Sequence, residues 1–179
     1  GLRKGLTWVT FDGPALMAAR GEVDTHLGDK TDLYVEVDAT NVALLQFTTD
    51  VARVRLHVDG HSYVATNAIL DIYGGRVDAN VVVSPDTNSP HYRLSVKAQL
   101  ADADVNRAIL ALRKTAKAPE TGGKLSGRLN LEGVLAKGES KGYRGSGKVR
   151  IDDGDLFRIP VFGGLSRYIS AIFPGLGFA

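Results

Sequence analysis

Apolar and polar residues alternate along most of this chain. From 91 to 100, Tyr92, Leu94, Val96, Ala98 and Leu100 share one parity, and His91, Arg93, Ser95, Lys97 and Gln99 share the other. Such a period of two marks a strand with one apolar face. Residues 53–58 alternate likewise and run into Asp59-Gly60, a favoured hairpin turn. Residues 62–73 then place Val64, Ala68, Leu70 and Ile72 on one side, Gly74-Gly75 turns the chain, and 77–83 returns. Further strands are expected at 6–12, 16–24, 33–38, 42–48, 124–135 and 146–152. Strands this closely spaced leave no room for parallel crossovers, so the pattern predicts an antiparallel meander.

Two segments break the alternation. From 104 to 116, Val105, Ala108, Ile109 and Leu112 recur at helical spacing, with Asp104 placed as N-cap and Arg113, Lys114 and Lys117 suited to the C-terminal end of the dipole. From 161 to 173, Phe162, Leu165, Ile169 and Ile172 form a second stripe, stopped by Pro174-Gly175. The residues alone thus predict a mainly β protein with two short α-helices and a loop over 116–123.

Composition narrows the picture. The 179 residues are 44% hydrophobic and 23% charged, as in an ordinary folded protein. A net charge of +2 gives no footprint for nucleic acid, although 137–158 is locally basic. With no cysteine there is neither a disulfide framework nor a thiolate metal site. No apolar run reaches the ~18 residues of a membrane span, and the first residues lack the apolar core of a signal peptide. The apolar, uncharged end at Phe173 to Ala179 suggests a piece of a longer protein.

Three motifs invite chemistry. Gly142-Tyr-Arg-Gly-Ser-Gly147-Lys148 matches the first seven places of a phosphate-binding loop, but Val149 replaces the Ser or Thr that would hold magnesium. Lys148 is followed by an alternating strand, not the helix whose N–H groups would meet the phosphates. The match is therefore accidental. His57 and His61 flank a turn, with Asp59 as the only neighbouring carboxylate in sequence, too few for a metal. Asp152-Asp153-Gly154-Asp155 lacks the spacing of a calcium loop and reads as a turn. No nucleophile elbow occurs, so no catalytic residue, metal or cofactor is expected.

Tyr73-Gly74-Gly75 ends an expected strand, Ala101-Asp102 opens a short helix, a Gly-x-Leu-x-Gly strand lies within 123–133, and Gly145-Ser146-Gly147 is followed by an acidic turn leading to Ile159-Pro160. In this order these features, over residues 50–179, resemble the C-terminal repeat region of the AsmA-like family, related to TamB-type envelope proteins. Residues 1–50 would be strands of a preceding repeat, and 51–179 the sheet-and-helix region proper.

The resemblance implies a curved sheet forming an open groove, in a periplasmic part of a protein anchored to the inner membrane by a segment absent here. It implies a non-enzymatic role in phospholipid passage and outer-membrane assembly, part of cell-envelope biogenesis. The expected groove lining is Leu70, Ile72, Val77, Val81, Leu94, Val96, Leu100, Leu129, Leu131, Val149 and Ile151. Lys141, Arg144, Lys148 and Arg150 are candidate head-group contacts. The partners would be phospholipid acyl chains, neighbouring β repeats and outer-membrane components, with no nucleic acid. The alternative is a structural or protein-binding β scaffold whose apolar face is ordinary core. The helix over 161–173 would cap the groove or lie near a membrane surface.

Overall fold

The computed structural model describes residues 9–25, 29–44, 47–87, 89–113, 122–136 and 139–153. They form nine strands and one helix: β1 (Val9–Phe11), β2 (Ala15–Glu22), β3 (Asp32–Leu44), β4 (Phe47–Asp59), β5 (Ser62–Ile72), β6 (Gly75–Pro85), β7 (Tyr92–Asp104), α1 (Val105–Arg113), β8 (Lys124–Ala136) and β9 (Glu139–Asp152). All pairings are antiparallel. From β3 to β9 each strand pairs with its neighbour in sequence, while β1 and β2 both pair with β3. Among the described residues the sheet does not close into a barrel. The expected meander is the observed architecture.

Several boundaries move for local reasons. Segments 33–38 and 42–48, expected as separate strands, are not separate: β3 runs through to Leu44, and β4 begins at Phe47. Asn41, a turn former in sequence, stands inside β3 with a left-handed φ of 51°, which Asn tolerates better than most side chains. The turns also shift by a residue. Asp59 pairs with Ser62, so the β4–β5 turn is Gly60-His61. Ile72 pairs with Gly75, so the β5–β6 turn is Tyr73-Gly74, not Gly74-Gly75. Both of its central residues have positive φ, 53° and 74°, as a type I′ turn requires. A tyrosine there is uncommon. The Asp104 N–H, which donates to the Tyr73 carbonyl at 2.8 Å, holds the turn against the start of α1.

Asp104 caps α1 as expected, its Oδ1 accepting the Arg107 N–H at 2.9 Å. Arg107 also reaches Asp50 of β4 at 3.6 Å, tying the helix to the sheet. The helix buries Val105 and Ala108. Ala101-Asp102, expected to open the helix, instead lie within β7, where the register shifts between Leu100 and Ala103 and Asp102 takes a φ of 56°. The second helix, expected over 161–173, lies outside the described residues.

The buried side chains are mostly small. Ala39, Val42 and Ala52 cluster with Val9, Val37 and Leu70, and Ala68, Ile72, Ala103 and Leu131 complete the buried apolar set along with the two helical residues. Glycines in β9 make room for larger neighbours. Leu131 pairs with Gly145 and Leu129 with Gly147, and a Cβ on Gly145 would stand 3.2 Å from Leu131 Cδ1 and 2.6 Å from the Asn130 carbonyl oxygen. The Tyr143 ring lies over Gly133 in the same pair of strands.

Candidate functional site: the apolar face of the sheet

Antiparallel register puts directly opposed residues on the same face, so the faces can be followed from strand to strand. One row runs Ala15, Ala39, Ala52, Leu70, Val77, Leu100, Gly127, Val149, from β2 to β9. A second runs Ala19, Val35, Leu56, Ala65, Val81, Val96, Leu131, Gly145. A third runs Gly21, Leu33, Val58, Tyr63, Val83, Leu94, Gly133. None of these rows contains a charged residue.

Every residue expected to line a groove lies on this face. Leu70, Val77, Leu100 and Val149 share the first row, and Val81, Val96 and Leu131 the second. Leu94 is in the third, while Leu129 continues the row Ala68, Ala79, Ala98. Ile72 opposes Gly75 two places beyond Leu70, and Ile151 opposes Leu125 two places beyond Val149. The sequence-based set was incomplete at its N-terminal side: Leu33, Val35, Val37, Val54, Leu56 and Val58 extend the same face through β3 and β4. Their alternation was visible; their register against residues 62–72 was not.

Burial across the face is uneven. Leu131 is fully buried, and Ile72 and Ala68 nearly so. Val77, Val81, Leu94, Val96, Leu100 and Leu129 are half-buried. Tyr63, Met17 and Val149 are exposed, Val149 at 63%. At the α1 end, the Tyr73 hydroxyl is buried without a hydrogen-bond partner, and burial raises its pKa above the ordinary value.

The opposite face is polar. Arg53 pairs with Asp38 at 3.2 Å and Arg55 with Glu36 at 3.5 Å, each directly across β3–β4. Tyr34 stacks on His57 with ring centroids 4.1 Å apart, and the Arg20 guanidinium lies 5.4 Å above the Tyr34 ring. Sequence reading offered the two histidines only Asp59. The fold instead supplies Asp32 to His57 at 2.8 Å and Asp29 to His61 at 3.1 Å, from the far side of the β3–β4 pair. A depression of about 330 Å³ also opens on this side, lined by Leu16, Glu36, Asp38, Arg53, Arg55 and Ile69 among others.

Three of the candidate head-group residues, Arg144, Lys148 and Arg150, belong to this polar face. Arg144, Lys148 and Arg150 oppose Glu132, Arg128 and Ser126, and Arg150 also pairs with Asp152 at 2.6 Å. Lys141 is placed by its backbone, opposite Val134. All four lie on β9, and Arg144, Lys148 and Arg150 are separated from the apolar face by the thickness of the sheet. Residues 142–149, which mimic a phosphate-binding loop, are extended strand throughout. Asp152 ends β9, and Asp153 takes a left-handed turn conformation at φ 54°.

No family model, curated protein or solved structure matches this chain.

Proposed function

We propose that this chain is a non-enzymatic segment of a cell-envelope protein whose apolar sheet face carries phospholipid acyl chains between the inner and outer membranes. The observation that supports it is the set of uncharged rows running from β2 to β8, two of them on into β9, with half-buried Val and Leu at their centre. An acyl chain of about 16 carbons costs on the order of 10 kcal/mol to hold in water, at about 0.8 kcal/mol per CH₂. A continuous apolar strip offsets that cost at every position along its length. Contacts of this kind have no direction, so a chain bound to them slides as easily as it stays. In this role the protein would be periplasmic, part of an inner-membrane-anchored assembly with neighbouring β repeats. Among the described residues, no helix is long and apolar enough to cross a membrane.

The test is photocrosslinking in cells from Val96 and, separately, from Lys97. Val96 lies between Val81 and Leu131, and Lys97 between Asn80 and Asn130, so adjacent residues sample opposite faces of one strand. Adducts on phospholipid acyl chains are expected from Val96, whereas Lys97, on the other face, should yield none on acyl chains. Folded protein that yields no acyl-chain adduct at Val96 would overturn the proposal and leave a protein-binding or structural scaffold in its place.

A further inference from the structure

The polar face is divided by its own register. Between β3 and β4 each arginine stands opposite a carboxylate, Arg53 with Asp38 and Arg55 with Glu36. Between β8 and β9 Arg144 faces Glu132 and Lys124 faces Asp152, but at the centre of the pair that complementarity fails. Arg128 is directly opposite Lys148, and its other in-register neighbour is the neutral Gln99 of β7. One row along, Lys97 opposes Asn130, which opposes Ser146. Lys97, Arg128 and Lys148 thus occupy adjoining places on three neighbouring strands. All three are exposed, and among the described residues none is ion-paired. Of the nearby carboxylates, Glu132 faces Arg144, Asp152 holds Arg150, and Asp78 lies one strand further out, opposite Gln99.

Like charges directly opposed destabilise an antiparallel pair. A sheet that places Arg128 on Lys148 keeps a repulsion that an anionic partner would relieve. The basic strip runs along β9 from Arg144 to Arg150, about 20 Å at strand rise, longer than a single phosphate. On this face β7, β8 and β9 present no aromatic side chain to stack on bases, which argues against single-stranded nucleic acid. A flat, multivalent array of anions fits the strip.

We propose that the polar side of β7–β9 docks electrostatically on an anionic bilayer surface, through Lys97, Arg128 and Lys148. The site is separate from the apolar face and does not depend on acyl-chain binding there. The two faces of one sheet would then divide lipid chemistry, head groups on one side and acyl chains on the other.

Flotation with vesicles tests this. The chain is expected to float with vesicles of phosphatidylglycerol and phosphatidylcholine, and not with phosphatidylcholine alone. Salt should release it as the screening length falls from about 10 Å at 0.1 M to about 3 Å at 1 M. Arg128→Gln with Lys148→Gln should weaken binding about thirtyfold. Because this double variant removes a repulsion, its Tm should equal or exceed the parent's, so lost binding will not reflect misfolding. Arg53→Gln with Arg55→Gln removes the same charge from the other half of the face and should leave most of the binding. Equal loss in both doubles, flotation with neutral vesicles, or retention on a soluble polyanion without flotation would each overturn the proposal.

Discussion

Tyr73 combines three costs: a left-handed φ, a place in a two-residue turn and a buried hydroxyl without a partner. The ring contributes burial, whereas the hydroxyl contributes only desolvation, since a buried polar group without a hydrogen bond is unfavourable. Tyr73→Phe should therefore raise stability, by roughly 1 kcal/mol, or about 2–4 °C in Tm for a chain of this size. The same variant has a pH signature. Burial lifts the Tyr73 pKa above its ordinary 10.0, so its stability contribution is full below about pH 10 and is lost as pH rises through the folded value. Alkaline melts of the parent should fall more steeply than those of Tyr73→Phe, and parallel curves would refute the assignment. Asp104 acts with the opposite sign. Its carboxylate accepts an N–H of the first turn of α1, and Asp104→Ala should cost about 1 kcal/mol, read as a lower denaturation midpoint.

At the scale of elements, the sequence announced strand identity more clearly than strand pairing. The alternation at 91–100 and 124–135 carried through into β7 and β8, because side chains on a pleated strand leave no other periodicity. What alternation could not carry was register. Asn41, Tyr73 and Asp102 each hold a left-handed φ inside or beside a strand, and each moves a boundary or a turn by one or more places. The cross-strand ion pairs and the His–Asp contacts were equally hidden, since their partners are separated by 15 to 32 residues of sequence (Asp38 to Arg53, Asp29 to His61). The glycines of β9 were legible as strand glycines, but only pairing explains them. A Cβ on Gly145 would stand 2.6 Å from the Asn130 carbonyl oxygen, and backbone cannot yield as a flexible side chain can. Gly145→Ala should destabilise the β8–β9 pair by about 1–3 kcal/mol. Faster hydrogen exchange at Leu129 and Leu131 than at Val81 would report it.

At the scale of the whole molecule, the question is what covers an apolar face eight strands wide, and threonine can put it to the test. Val81 and Val96 are directly opposed at the centre of the face and are half-buried. Threonine has nearly the shape of valine but adds a hydroxyl, so replacing both changes polarity while hardly changing volume. If the face were closed protein core, two unpaired hydroxyls would each cost about 1–3 kcal/mol, lowering Tm by several degrees or more. If the face meets acyl chains, the lipid-free chain should tolerate both threonines with little change in Tm, while the phospholipid copurifying with it falls. Leu131→Ala supplies the contrast. That side chain is fully buried, and its truncation should cost about 2–5 kcal/mol whatever lies over the rest of the face. A double threonine variant that melts as far below the parent as Leu131→Ala does would mean the rows are ordinary core. One that melts with the parent but carries less lipid would place the cargo on Val81 and Val96, at the centre of the sheet.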